Sequence, residues 1–213
     1  MSKFISKRYI IDNLLDLDWR RRIGAISDFS RSHRIVPKVE YHEDVGFLYY
    51  SQVLIEKNPL IQNELSVLLR HLARELEEMH RIGIVHGDIN RKNIIFDGQS
   101  LRLIDLEPSL LQRRGGRVTM MATPPYIFSG DWISRIITAR TDKIGFIMYC
   151  VRLMNGSLRL SCSKIRCNLN SSRTLFGCRH RELEVASASF LDLVDMSDSL
   201  VNDLLRSGVL RES

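Results

Sequence analysis

His86-Gly87-Asp88-Ile89-Asn90-Arg91-Lys92-Asn93-Ile94-Ile95-Phe96 decides how this chain is read, together with Leu103-Ile104-Asp105-Leu106-Glu107. An acid and an amide stand five residues apart, and a second acid follows twelve residues after the amide. Ile94–Phe96 and Leu101–Leu106 are short apolar runs separated by Asp97-Gly98, a strong hairpin signal. Folding that hairpin brings Asn93 and Asp105 together. An amide oxygen and a carboxylate are hard ligands suited to Mg2+, which takes few protein groups and fills its shell with phosphate and water. Asp88 is then left to accept a proton from a hydroxyl nucleophile. Phosphoryl transfer divides its labour in this way, with metal on the phosphates and a carboxylate on the nucleophile. Taken singly, Gly-Asp is a common tight turn, Asn93 a turn residue and Asp105 a loop cap. Their joint register is what carries chemistry.

The stretch resembles the catalytic core of the protein kinase superfamily. His86 to Asn93 is similar to the catalytic loop H-R-D-x-x-x-x-N with Gly87 in place of Arg, and Asp105-Leu106-Glu107 stands where D-F-G would. Ala122-Thr123-Pro124-Pro125-Tyr126 resembles the G-T-P-x-Y segment of a Ser/Thr kinase activation loop. Thr141-Asp142-Lys143-Ile144-Gly145 resembles the start of the buried helix whose Asp braces the catalytic loop. Val36-Pro37 and Leu48 to Pro59 resemble the strand leading to the hinge. The likeness spans residues ~35 to ~154 in order.

The resemblance implies an α+β, bilobal, protein-kinase-like fold with a truncated N-terminal lobe and a mostly helical C-terminal lobe. Residues 1–57 are expected to form the reduced N-lobe and hinge. Residues 58–213 are expected to form the C-lobe, with the catalytic loop at 86–93, the metal motif at 105–107 and an activation-like loop at 108–131. It implies ATP and Mg2+ as cofactors, Asp88 and Asn93 as catalytic residues, and Asn93 and Asp105 as metal ligands. The hinge backbone at Gln52, Val53 and Leu54 would hold adenine, and His86 would pack under the loop.

The pattern departs from the family in the N-lobe. Kinases cover the phosphates with a glycine-rich loop and pair a strand Lys with a helix Glu. Gly24 is the first glycine here. Phe4-Ile5-Ser6-Lys7 can stand for V-A-I-K, which makes Lys7 the nucleotide lysine, 49 residues before the hinge at Glu56. The following helix offers Asp12, Asp16, Asp18 and Asp28 but no Glu, and Asp28 lies nearest the expected partner position. Either the lobe is trimmed but competent, or the chain is a pseudokinase scaffold, or the gene start lies upstream. Gly87 argues against control through an activation-loop phosphate. H-G-D and Asp-Leu-Glu also resemble aminoglycoside, choline, RIO-type and lipopolysaccharide core kinases. Asn90 occupies the position where Ser/Thr kinases carry Lys, and Arg91 or Lys92 are candidates to supply that charge. Thr123-Pro124-Pro125-Tyr126 favours a protein substrate, with a small-molecule or lipopolysaccharide-type acceptor as the alternative. An activating partner protein would complete the lobe.

Periodicity sets the remaining elements. Residues 8–31 read as a helix, Ile35–Tyr41 and Gly46–Ile55 as strands, and Ile61–Arg81 as an amphipathic helix with Leu65, Leu68, Leu69, Leu72, Leu76 and Met79 on one face. Residues 107–131 read as a loop. Asp142–Met154 reads as a buried helix, and one or two helices fall between His180 and Leu210.

With 213 residues, 44% apolar and 26% charged, the chain is globular in composition, which excludes wholesale disorder. No apolar run is long enough for a membrane span, and Lys7, Arg8 and Asp12 interrupt any signal-type core. A cytoplasmic protein, or one exported as an effector without a Sec signal, is expected. Cys150, Cys162, Cys167 and Cys178 lack zinc-type spacing and read as reduced thiols. The net charge of +6 is uneven. Gly156–Arg181 holds six bases and no acid, whereas Glu182–Ser213 holds seven acids and two bases. The basic strip carries a single aromatic of the Phe/Tyr/Trp type, Phe176, which speaks against a nucleic-acid binder.

Overall fold

A computed structural model of the chain describes residues 3–60, 64–122, 134–154, 159–160, 185–206 and 210–211. The segment Thr123–Tyr126, Cys162, Cys167, Cys178 and most of the basic strip lie outside the described residues.

The chain opens with strand β1 (Phe4–Ile10), a 3-10 turn (Ile11–Asn13) and helix α1 (Trp19–Ser32). The single helix expected over 8–31 is therefore split. Residues 4–10 pair antiparallel with β3 (Phe47–Val53), Lys7 opposite Tyr50, and this distant partner overrides the local helical spacing. β2 (Val39–Asp44) pairs with the other edge of β3, giving the order β1-β3-β2. Along β3 the side chains of Leu48, Tyr50 and Gln52 alternate inward, as the period of two requires. Leu48 and Tyr50 join the buried cluster formed by Trp19, Ile23, Ile26 and Phe29 of α1.

Helix α2 (Leu65–Arg81) buries the whole apolar stripe read from the sequence, plus Ala73. Each buried Leu contributes about 1.5–3 kcal/mol against exposure. Gly83, at φ +82°, ends the helix: its N–H donates to His80 O and Ile84 N–H to Met79 O, a Schellman cap open chiefly to glycine. The catalytic stretch follows. β4 (Ile94–Phe96) and β5 (Leu101–Leu103) form the expected hairpin. Asp97 closes its turn by accepting bonds from the Gln99 and Ser100 amides.

The loop expected over 107–131 contains a second hairpin, β6 (Leu111–Arg114) with β7 (Arg117–Met120). Gly115 and Gly116 both have positive φ, +54° and +76°, as a two-residue hairpin turn of the primed type demands. Helix α3 (Ala139–Met154) has Ile144, Phe146, Ile147, Met148, Tyr149, Cys150 and Val151 buried, so it is apolar nearly all round. The Cys150 thiol is free, and burial pushes its pKa up. Helix α4 (Phe190–Arg206) packs Phe190 edge-on against Phe146 and His80. A short pair, β8 (Arg159–Leu160) with β9 (Leu210–Arg211), completes the described elements.

Gly145 fixes how closely α3 underlies the catalytic stretch. A Cβ there would lie 2.4 Å from the Ile89 carbonyl oxygen. Only glycine permits that approach, and it brings Asp142 under the loop. Among the described residues no helix is long and apolar enough to cross a membrane.

Candidate active site

The catalytic stretch is held from below by one carboxylate. Asp142, fully buried, accepts from the Gly87 amide through Oδ1 and from the His86 amide through Oδ2, both at 2.7 Å. His80 of α2 bonds the same Oδ2 at 2.8 Å. His86 is buried, its Nε2 3.0 Å from Ile104 O and its Nδ1 accepting from the Asp88 amide. The bracing role expected for Asp142 and the packing role expected for His86 match these contacts.

Gly87 stands at φ +86°, and a Cβ there would meet Leu110 Cδ2 at 2.8 Å and Ile137 Cγ2 at 3.1 Å. The left-handed backbone and the crowding together exclude the arginine of H-R-D. Gly87→Arg is expected to cost about 2 kcal/mol or more, from the αL penalty plus overpacking. A thermal midpoint equal to wild type would show that the turn relaxes.

Within the stretch, amide side chains tie the loop to itself. Asn93 Nδ2 donates to Asp88 O and Asp88 Oδ2, both at 2.9 Å, so its Oδ1 is the atom left to face a ligand. Asn90 Nδ2 donates to Asp88 O and its Oδ1 accepts from the Lys92 amide. Asn90 thus braces the loop, and Arg91 and Lys92 are exposed.

Asp105 reaches the same place from β5. The Ile104 amide donates to Asn93 O at 2.9 Å, which sets the two strands of the site side by side. Asp105 itself adopts φ +67°, a left-handed conformation that Asp tolerates better than most residues and that is stored at functional sites. Gln52 is buried, and its Oε1 accepts from the Asp105 amide at 3.4 Å. The amides of Val53 and Leu54 donate to Lys38 O and Lys3 O. Those two N–H groups are therefore occupied.

Lys7 points from β1 into the site. Its ammonium is ion-paired with Asp105 and with Glu107 Oε1, the latter at 2.9 Å. Burial works to lower the Lys7 pKa, but the bonds and charges of Asp105 and Glu107 outweigh it and hold the ammonium above its ordinary value. Glu107 Oε2 accepts from Tyr9 Oη at 2.7 Å and from Gln112 Nε2 at 3.1 Å. Burial, then the Glu107 charge, pushes the Tyr9 hydroxyl far up, so it stays a donor. Asp28 does not take the lysine. It is exposed and paired with Arg31 on its own helix. α1 reaches the site instead through Arg22, which donates to Glu107 O at 3.0 Å and Val85 O at 2.7 Å.

Asp88, Asp105, Glu107, Arg114 and Thr119 line one cavity of 160 Å3 under the β6–β7 hairpin. A larger cavity of 490 Å3 lies behind α1, beside Asp16, Arg21 and Arg135, and holds none of the three catalytic-type residues. Chemistry, not size, singles out the smaller one. Among the described residues no group of three or more His, Cys, Asp or Glu is arranged to hold a metal. Asp105 and Asn93, on segments joined by the Ile104 amide bond to Asn93 O, offer a carboxylate and an amide oxygen, donor types that fit Mg2+ taking the rest of its shell from phosphates.

Sequence reasoning missed Glu107 as a lysine partner, along with Tyr9, Gln112 and Arg22. Half of a signal existed, since Lys7 and Tyr9 share one face of β1 at a spacing of two, but Asp105 at φ +67° breaks any extended period before Glu107. No local signal marked Arg22 among three consecutive arginines.

The lipopolysaccharide kinase (Kdo/WaaP) family model matches residues 26–120. The kinase PK-1 of Cydia pomonella granulovirus superposes with a TM-score of 0.62 at 12% identity, covering 94% of this chain and 86% of that one. The PknI kinase domain of Mycobacterium tuberculosis superposes with a TM-score of 0.56 at 17% identity, covering 92% and 84%. Together these matches make the chain similar to the protein kinase-like superfamily. Its fold is the α+β kinase fold. This kinase-like chain is also 21% identical over 179 residues to the serine/threonine-protein kinase pkn2 of Myxococcus xanthus, covering 71% of the chain. It is 32% identical over 56 residues to the probable serine/threonine-protein kinase fnkB of Dictyostelium discoideum. It spans only 22% and 11% of the length of those two curated relatives.

Proposed function

We propose that this chain is a Mg-ATP-dependent phosphotransferase acting on a hydroxyl group, with Ser/Thr of a protein as acceptor. The observation that carries the reading is one cavity lined by Asp88 and Asp105, with Asn93 hydrogen-bonded to Asp88 and Lys7 ion-paired with Asp105. Asp88 orients the acceptor hydroxyl and takes its proton. Asn93 Oδ1 and Asp105 would hold Mg2+, which when bound neutralises charge on the phosphates. Lys7 grips the non-transferred phosphates. The segment 52–56 holds adenine through its backbone. With the Val53 and Leu54 amides occupied, acceptors come from their carbonyls and the donor from Ile55 or Glu56. Arg114, opposite Asp88 in the cavity, supplies the cation that Asn90 cannot.

A second reading, a saccharide or other small-molecule acceptor, is favoured by the lipopolysaccharide kinase match and by Gly87 and Glu107.

The test is transfer of label from γ-labelled ATP with Mg2+, using purified chain and a cell lysate, beside Asp88→Ala. Label on a protein band that falls about 10²-fold in the variant supports the first reading, at the size expected for loss of a positioned base. Asp88-dependent label on a low-mass product transfers the conclusion to the second. No label, with no thermal shift on adding Mg-ATP, makes the chain a kinase-fold scaffold.

A further inference from the structure

In kinases the nucleotide lysine is held by a glutamate on the helix that occupies the place of α1. Here α1 offers no such group: Asp28 faces solvent, bonded to Arg31, and the carboxylates hydrogen-bonded to Lys7 are Asp105 and Glu107. These two are not equivalent. The Asp105 side chain is 40% exposed and faces the cavity where a metal would sit, whereas the Glu107 side chain is 9% exposed. Glu107 is also fixed at its other oxygen by Tyr9 and Gln112, and at its main chain by Arg22. Three elements, β1, α1 and β6, therefore hold one carboxylate still.

A buried, cross-bonded acid and a half-exposed one on a single ammonium pose a conflict. Lys7 on Asp105 competes with any cation that Asp105 must bind. A lysine with a second, rigid carboxylate can release the first without being lost to solvent.

We propose that Glu107 is the positioning carboxylate of Lys7, retaining the ammonium when a divalent cation takes Asp105. This rests on the nucleotide-site reading above. The lysine-holding acid thus lies two residues beyond the metal-binding acid, on the same segment, and α1 contributes a half-buried arginine, Arg22, rather than an acid. Because Gln112 belongs to β6, docking of the β6–β7 hairpin is part of what keeps Lys7 aimed. Glu107 acts through Lys7 and does not ligate the cation itself.

The test measures Mn2+ binding, by the spin-resonance signal of free Mn2+, in the presence of a non-hydrolysable ATP analogue, on the full chain. Glu107→Gln is expected to weaken Mn2+ about tenfold, because Lys7 then has Asp105 as its only carboxylate. In turnover, half-saturation by Mg2+ rises by the same factor. Asp28→Asn is expected to leave both unchanged. In a Lys7→Met background, Glu107→Gln is expected to change Mn2+ affinity less than twofold. A tenfold loss in that background would make Glu107 a metal ligand and overturn the positioning role. Equal Mn2+ affinity in wild type and Glu107→Gln would overturn it too, leaving the nucleotide site intact. Failure of wild type to bind Mn2+ with the analogue at all would remove the nucleotide site and this inference together. Should Glu107→Gln not fold, Tyr9→Phe, which deletes one bond to Glu107, is expected to move half-saturation in the same direction by about twofold to threefold, and no movement would count against the proposal.

Discussion

Asp105→Asn is expected to lower Mg-ATP-dependent phosphotransfer about 10⁴-fold while leaving the fold intact. Asparagine is the informative replacement. It keeps the shape of the side chain and tolerates the left-handed backbone that Asp105 adopts at φ +67°, where alanine would add strain. What it removes is the charge. Of the two groups assigned to the metal, Asp105 and the Asn93 amide, Asp105 alone is charged, so the variant leaves the cation with two neutral ligands. Metal stabilisation of transferring phosphate is worth several kcal/mol, and about 5.5 kcal/mol corresponds to 10⁴ in rate. Initial rates with labelled ATP at saturating Mg2+, beside a thermal melt, check this. A variant that keeps a tenth of wild-type turnover, with an unchanged melting temperature, removes Asp105 from the metal site.

Much of that site was legible because it is local. His86 to Asn93 and Asp105 lie within one helix-capped loop and one hairpin, and local spacing alone brings them together. The α2 stripe was equally readable, since one face of a helix repeats every three or four residues and all six apolar positions read from the sequence are buried. What failed was non-local or masked by composition. Residues 8–10 continue an apolar spacing that suits a helix, and only their pairing with Phe47–Tyr49 makes them strand. The β6–β7 hairpin was hidden by Arg113, Arg114 and Arg117, whose charge suggested a solvated loop. Gly115-Gly116 was its true signal. The partner of Lys7 lies 98 to 100 residues away in sequence. The family pattern directed attention to α1, but the chain places the acid on the metal segment instead. Where a chain keeps the chemistry of its family but moves a supporting group, motif order cannot reveal the move and contact geometry can.

The same logic makes Asp142 the position whose loss should damage the fold most. Its carboxylate is fully buried and satisfies two main-chain amides, those of His86 and Gly87, as well as the His80 ring. Asp142→Ala deletes the acceptor and leaves those donors without water to replace it. An unmade buried bond costs about 1–3 kcal/mol per group, and removing one member of a buried charged network about 3–5 kcal/mol in all. For a chain of this length that is a fall in melting temperature of about 10 °C. Gly145 blocks the usual escape. The helix already touches Ile89 O so closely that no side chain fits between them, and the loop has no room to settle onto α3. Asp195→Ala is the control. Asp195 forms an exposed pair with Arg70, and such pairs contribute about 0–1 kcal/mol. Calorimetry on the two variants separates the cases. A melting temperature for Asp142→Ala within about 2 °C of the Asp195→Ala value would mean that the catalytic loop holds its shape without the brace. The left-handed turn at Gly87 would then be maintained by Leu110 and Ile137 packing.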